Sequence, residues 1–269
     1  MDSPLVSVIM AAYNAEPYVA EAVRSALEQT HRNIELIIVN DGSTDRTGEL
    51  LRTFTDPRIH LIEQANTGIG KARNVALDHV HGAFICFLDA DDVMPPRSIE
   101  ARLNVLTADP GLTFADGTVI YYDRDLGKVL RTRVPSFNGE PLDRLAVFDR
   151  SCFFGNTWLI RWDPRWTYRF NEDITHAEDL LFYMTMAEGR RYGHTKEPVL
   201  HYRITGHSSM SRLEGLERSY HAVHSHMHQR PDLFDRATLR RNRFLIRRMM
   251  SGAYWHAGRP LQALLAWFR

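Results

Sequence analysis

Phe84-Ile-Cys-Phe-Leu-Asp-Ala-Asp-Asp92 decides how this chain is read. Phe84 to Leu88 is an unbroken apolar run, the pattern of a strand buried on both faces. Asp89, Asp91 and Asp92 follow at once, so the strand delivers dense negative charge to its carboxyl end. In open α/β sheets ligands sit outside that edge. Asp89 and Asp91 repel each other unless a cation lies beside them, and Mg2+ or Mn2+ typically links protein carboxylates to substrate phosphates. The plainer alternative is an acidic turn in which Asp91 or Asp92 caps a helix starting near Pro95-Pro96.

Upstream, the same pattern recurs. Leu5-Val-Ser-Val-Ile-Met10 reads as a strand and stops at Ala11-Ala-Tyr-Asn14; Glu16-Pro17 opens a helix carrying Val19, Ala22, Val23, Ala26 and Leu27 at helical spacing. Ile34-Glu-Leu-Ile-Ile-Val39 is a second strand, ending in Asn40-Asp41-Gly-Ser-Thr-Asp45. There Ser43, Thr44 or Asp45 can cap a helix from Arg46 to Phe54. Ile59 to Ile62 is a third strand, and Asn66-Thr-Gly-Ile-Gly-Lys-Ala-Arg-Asn74 leads into a helix through about His79. Strand and helix alternate three times before the Phe84 strand arrives, which predicts a parallel sheet with right-handed crossovers. Successive strands then end in polar or acidic turns on one edge, and that convergence marks a site.

Downstream, Pro96 to Thr107 is helical, with Ile99, Leu103 and Leu106 on one face. Thr118 to Tyr122 and Val129 to Val134 predict a β-ribbon around Asp123-Arg-Asp-Leu-Gly127. Phe153 to Trp162 contains a further strand, Glu178 to Ala187 a helix, and Arg191 to Lys196 and Val199 to Arg203 two late strands. Everything from about Leu213 is helical. Trp158, Trp162 and Trp166 read as core or acceptor-platform residues, and His221, His224, His226 and His228 as surface histidines.

Composition bounds the function. The 269 residues are 44% hydrophobic and 25% charged with zero formal net charge, ordinary for a globular protein and without the basic bias of a nucleic-acid binder. Cys86 and Cys152 make no disulfide framework, and Cys86 lies inside an apolar strand, so a reducing cytosol is expected. The first strand begins within about five residues of Met1, leaving no room for a signal peptide there. No run of 18 apolar residues exists.

Individually the candidate residues are ambiguous. Gly68-Ile-Gly70-Lys-Ala-Arg73 opens like a dinucleotide fingerprint but has Arg in place of the third glycine, and Ala72 after Gly70-Lys71 rules out a phosphate loop. Glycines at a helix start still suit a phosphate, because free N–H groups and about half a positive charge collect there. Lys71 and Arg73 can add ion pairs. Tyr13 can stack on a nucleobase, and Asp41 can accept from a base N–H or a ribose hydroxyl, although Asp-Gly is also a common turn pair. Glu178-Asp179 begins a helix, where carboxylates are favoured anyway; the functional alternative is a general base. His201-Tyr-Arg-Ile-Thr-Gly-His-Ser-Ser-Met-Ser211 predicts a mobile loop in which Arg203, His207 and hydroxyls can close over a metal-diphosphate.

Taken in order, these pieces resemble the family 2 glycosyltransferases. The matching segments are Val8-Ile-Met-Ala-Ala-Tyr-Asn14, Ile38-Val-Asn-Asp-Gly-Ser-Thr-Asp45, Asn66 to Asn74, Leu88-Asp-Ala-Asp-Asp92, Glu178-Asp-Leu-Leu181, and Tyr202-Arg203 with His207-Ser208. The resemblance implies the GT-A fold: a mixed, mostly parallel sheet flanked by helices. The catalytic domain would span 1–212, with a nucleotide-binding half to about 95 and an acceptor half beyond it. A C-terminal helical extension would follow at 213–269.

It also implies roles. Ala11, Tyr13 and Asp41 would border the base and ribose of a nucleoside-diphosphate sugar, most often a UDP-sugar. Arg73 would face the diphosphate, Asp89 the ribose or sugar, and Asp91, with Asp89 and His207 beside it, a divalent Mn2+ or Mg2+ ion. Asp179 would take a proton from the acceptor hydroxyl, with Glu178 as its neighbour. One displacement with a single base inverts the anomeric centre, in contrast to retaining hydrolases that use two close carboxylates. A saccharide or lipid-linked saccharide acceptor and a role in surface polysaccharide or glycolipid assembly follow from the same resemblance. The rival readings are a non-catalytic nucleotide-sugar-binding or scaffold protein, and a nucleotidyltransferase, whose Gly-rich triphosphate loop after the first strand is missing.

The C-terminal segment from Arg236 to Arg269 carries eight Arg and no Asp or Glu. Its apolar residues alternate with the Arg clusters, so the helices either pack on the catalytic domain with a solvated Arg face or lie on an anionic membrane. The expected location is cytoplasmic, with possible peripheral contact at the inner face of the membrane.

Overall fold

The structure, a computed structural model, describes residues 3–152, 155–206 and 212–268. Strands and helices alternate through β1 (Val6–Ala12), α1 (Val19–Leu27), β2 (Ile34–Asp41), α2 (Thr47–Arg52), β3 (Ile59–Gln64), α3 (Ile69–Leu77) and β4 (Phe84–Phe87). They continue as α4 (Ser98–Ala108), β5 (Leu112–Tyr122), β6 (Val129–Arg133), α5 (Leu142–Ala146), β7 (Leu159–Arg161), α6 (Glu178–Met186) and β8 (Arg191–Arg203). Three helices follow, α7 (Leu213–His228), α8 (Arg236–His256) and α9 (Pro260–Phe268).

One mixed sheet runs β3-β2-β1-β4-β7-β5-β6, with β8 added to β5. β1 pairs in parallel with β2 and β4, and β2 with β3, as the alternating pattern requires. β7 is antiparallel to β4 and to β5, the expected ribbon joins β5 to β6, and β8 lies parallel to β5. Successive strand residues go to opposite faces. Val6, Val8, Met10, Phe84, Cys86 and Leu88 enter the core under α1 and α4; Ile9, Ile85 and Phe87 enter the one under α3 and α6. Both faces are covered, which is why these strands read as continuous apolar runs.

The chain steps outward from β1 to β2 to β3, then returns to place β4 on the other side of β1. With right-handed crossovers, that reversal moves the connecting helix to the opposite face. Accordingly α1 and Leu51 of α2 pack into one core, and Ala72, Ala76 and Leu77 of α3 into the other. The crevice at the carboxyl ends of β1 and β4 is therefore the topological switch point where ligands bind in such sheets.

Several local readings change. The two late strands are one, β8; Pro198, which has no N–H to donate, sits opposite Thr118 at a register irregularity. Asp91 and Asp92 do not cap α4, which follows Arg97 with no side-chain cap; Asp92 instead accepts from the Arg203 backbone N–H at 2.8 Å. Nor do Ser43, Thr44 or Asp45 cap α2, whose N-cap position is Arg46 without a side-chain cap; Asp45 accepts from the N–H of Thr47 at 3.0 Å in the turn before it. The five-residue α5 is too short to show a helical period. His224 is buried rather than on the surface, bonded through Nδ1 to Asn242 Oδ1 at 2.8 Å between α7 and α8. Trp158 and Trp162 are core residues. The helices α7 to α9 share the α6-side core through Leu216, Val223 and Met227, Ile246, Met250 and Tyr254, and Ala263 and Ala266 respectively.

Candidate functional site

The end of β1 and the end of β2 are tied together. Asn14 Oδ1 accepts from the Thr44 N–H at 2.8 Å, and the Asn14 N–H donates to Ser43 Oγ at 3.1 Å. Asn14 takes a positive φ of 49°, which Asn tolerates better than most residues. This turn leaves Tyr13 half exposed beside the crevice, with Ala11 partly buried at the end of β1. Gly42 completes the turn at φ 68°, and a Cβ there would lie 2.5 Å from the Asn66 backbone nitrogen, so only Gly fits.

Asp41 is buried, and both its oxygens accept hydrogen bonds. Its Oδ1 accepts from Gln64 Nε2 at 2.8 Å and from the Thr67 N–H at 2.9 Å, and its Oδ2 from the Gly68 N–H at 2.9 Å. The carboxylate thus fixes the approach to α3. Gly70 lets that helix close on the 170–171 segment, where a Cβ would meet the Asn171 carbonyl oxygen at 2.8 Å. Asn74 completes the join, accepting from the Phe170 N–H at 2.8 Å and donating to its carbonyl at 3.0 Å.

Arg73 lies at the centre. Its guanidinium donates to Glu178 Oε1 at 2.8 Å and to Asp89 Oδ1 at 2.9 Å, over the rings of Phe170 and Phe87. Burial opposes the charge, but Asp89, Glu178 and Asp179 outweigh it and hold the guanidinium protonated. The expectation that Arg73 faces a diphosphate therefore meets a side chain already shared by two carboxylates and almost wholly buried.

Asn156 is the residue that sequence reasoning missed. Its Nδ2 donates to both oxygens of Asp89, each at 2.9 Å, while its own Oδ1 is buried with no hydrogen-bond partner. The segment is anchored by Arg102 of α4, whose guanidinium donates to the Thr157 carbonyl at 2.7 Å. A polar residue between an unassigned stretch and a three-residue strand carries no pattern. The only signal was that Asn in Gly-Asn-Thr interrupts an apolar approach to Trp158.

Beyond Asp89 the carboxylates differ sharply. Asp92 is buried beside Asp91 and Asp89, and burial first, then those neighbours, push its pKa well up. Asp91 is partly exposed and raised to about 6 by burial and by Asp89. Arg203 clamps its backbone instead of its carboxylate, donating through Nε to the Asp91 carbonyl at 2.8 Å. Among the described residues no ion pair or side-chain hydrogen bond holds the Asp91 carboxylate. The same residues include no cluster of three His, Cys, Asp or Glu that would bind a metal ion unaided. Magnesium and manganese sites commonly use one or two carboxylates and take the remaining oxygens from substrate phosphates and water, so Asp91 and Asp89 fit. His207 lies outside the described residues.

On α6, Glu178 is pinned by Arg73, and its neighbour Asp179 is partly open. The Asp179 pKa is pushed up to about 8, by burial first and then by Glu178, against the opposing pull of Arg73. Ala177, in the left-handed conformation at φ 53°, sets the sharp entry to the helix. One turn later Tyr183 stacks on Trp158, its hydroxyl buried without a hydrogen-bond partner.

A mixed, mostly parallel sheet flanked by helices, with a switch-point crevice at its carboxyl edge, is the architecture of the GT-A glycosyltransferases. Solved structures agree on the fold. The mannosyltransferase PcManGT from Pyrobaculum calidifontis, in complex with GDP-Man and Mn2+, superposes with a TM-score of 0.69 at 21% identity, covering 99% of this chain and 74% of that one. S. aureus TarS 1–349 in complex with UDP gives 0.63 at 18% identity, covering 93% and 72%. Residues 7–181 match the family model for glycosyl transferase family 2, and the chain belongs to that family.

Among curated proteins it is 28% identical to the putative glycosyltransferase EpsH of Bacillus subtilis, over 80% of this chain and 65% of the relative. It is 30% identical to the chondroitin synthase of Escherichia coli, over 81% of this chain and 32% of that enzyme. The chain thus spans less than two thirds of the length of either.

Proposed function

We propose that this chain is an inverting, metal-dependent glycosyltransferase that moves a sugar from a nucleoside-diphosphate donor, a UDP-sugar, to the hydroxyl of a saccharide or lipid-linked saccharide. Surface polysaccharide or glycolipid assembly is the setting, consistent with the synthase among its relatives. The observation that carries the reading is the fork of Arg73, which joins the acidic end of β4 to the start of α6 and so brings Asp179 and Asp89 to one crevice.

Asp179 is the base. Its carboxylate takes the acceptor proton while the hydroxyl oxygen attacks the anomeric carbon opposite the leaving diphosphate, so one displacement inverts the centre. An elevated pKa makes it a stronger base than an ordinary carboxylate, useful against a hydroxyl. Glu178 is committed to Arg73 and positions rather than reacts. Asp89, oriented by Arg73 and Asn156, accepts from ribose or sugar hydroxyls. Tyr13 stacks on the base above Ala11, and Asp41 shapes the same pocket by fixing Thr67 and Gly68. Asp91, with Asp89, would hold Mn2+ or Mg2+, which when bound neutralises charge growing on the leaving diphosphate.

Release of nucleoside diphosphate from a panel of nucleotide sugars, with and without Mn2+ or Mg2+, tests this. Metal-dependent turnover lost in Asp91→Asn and Asp179→Asn supports it. Tight donor binding without turnover for any acceptor favours the non-catalytic alternative, and no nucleotide binding at all overturns the assignment.

A further inference from the structure

The C-terminal helices expose what such helices ordinarily bury. On α9, Leu261, Leu264, Leu265 and Phe268 recur at the spacing of one helical stripe, yet Leu261 is 65%, Leu264 57% and Phe268 73% exposed. The buried positions of this helix are instead the small Ala263 and Ala266. α8 is similar. Its Asn242, Ile246, Met250 and Tyr254 face the core, while Arg241, Phe244, Arg248 and Trp255, spaced on the opposite side, are exposed. Phe244 meets Trp267 edge to face at 5.9 Å, and Arg247 donates to the Phe268 carbonyl at 3.4 Å, so the exposed side of α8 adjoins α9. Single exposed apolar residues are ordinary, but a contiguous set bordered by charge marks an interaction surface.

The chemistry of its occupant follows from charge. From Arg236 to Arg269 there is no Asp or Glu, and among the described residues no ion pair reaches Arg240, Arg241 or Arg248. A second copy of the chain would set this patch against itself in a two-fold dimer and oppose Arg with Arg. A surface that takes both leucines and arginines, with Trp at the rim, is an anionic lipid bilayer: apolar side chains enter the acyl boundary while guanidinium groups stay among the phosphates. No helix among the described residues is long and apolar enough to cross a membrane.

We propose that the α8–α9 face docks the protein flat on an anionic bilayer surface. Flotation of the whole chain is measured with phosphatidylcholine vesicles and with the same vesicles containing phosphatidylglycerol, at low and high salt. The variants are Leu264→Ser/Phe268→Ser and Arg241→Gln/Arg248→Gln; the residues changed are exposed, and circular dichroism melting checks that folding is kept. The expected result is binding to the anionic vesicles alone, weakened by salt and by about tenfold or more in the arginine pair. It is lost in the apolar pair. Equal binding to neutral vesicles, no binding to either, or a wild-type dimer that the apolar pair converts to monomer would overturn the proposal.

Discussion

Arg73 on α3 and Glu178 at the start of α6 are 105 residues apart in sequence and joined at 2.8 Å in a buried ion pair. Through its other nitrogen the same guanidinium reaches Asp89 at 2.9 Å. One side chain therefore ties the acidic end of β4 to the start of α6.

Arg73→Ala strands two carboxylates that it now neutralises. Loss of one partner from a buried pair costs about 3–5 kcal/mol, so the melting temperature falls steeply. Arg73→Lys keeps the charge but has no fork to span both oxygens, and should retain most of the stability while losing most of the turnover. Thermal melts alongside nucleoside diphosphate release separate the two effects.

Asp179→Asn should cut turnover by roughly 10²–10⁴-fold with little change in donor affinity, the loss expected of a general base. It should also stabilise the protein at alkaline pH. The folded pKa of Asp179 is about 8 against an ordinary value of 3.8, so between those values the folded state holds a proton that the unfolded state has released. Its contribution to stability then falls as pH rises through that window, and the amide removes the dependence. Melting curves at acid and alkaline pH should converge for the variant, and the wild-type rate should climb toward pH 8.

Asp91→Asn and chelation of divalent ions should produce the same defect. Donor turnover falls, and in the variant excess Mn2+ restores it only at concentrations raised by tenfold or more, a weakening on the order of that seen when metal-site groups are lost. A variant that remains fully active in the presence of chelator would contradict the metal role.

Asn156→Asp places a third carboxylate against Asp89, and Asn156→Ala removes both hydrogen bonds. The alanine variant should lose about 1–3 kcal/mol of transition-state binding, the usual cost of an unmade bond to a charged group, and the aspartate more. If Asn156 positions Asp89 toward the donor, the change appears in the donor KM and in kcat together, with acceptor KM unaltered.

Much of this was legible in sequence. The apolar runs ending in Asn40-Asp41-Gly42 and Asp89-Ala-Asp91 encode their burial and their edge, because a strand covered on both faces has no polar alternation and its turn must be polar. The helix spacing of Val19, Ala22, Val23 and Ala26 likewise placed α1 over the sheet. Arg191 to Lys196 and Val199 to Arg203 read as two strands but form one, β8, whose register against β5 shifts on both sides of Thr118.

What sequence could not hold was partnership. In sequence Asp41 and Arg73 admit a ligand contact as well as a structural role; tertiary packing gives them protein partners, Gln64, Thr67 and Gly68 for the one and Asp89 and Glu178 for the other. Asn156 had no pattern at all and became a neighbour of Asp89 only through Arg102 and the short β7. Local order follows from the periodicity of apolar residues, which neighbours in the chain determine. Which polar group meets which depends on distances closed by the whole fold, and only the tertiary structure decides those.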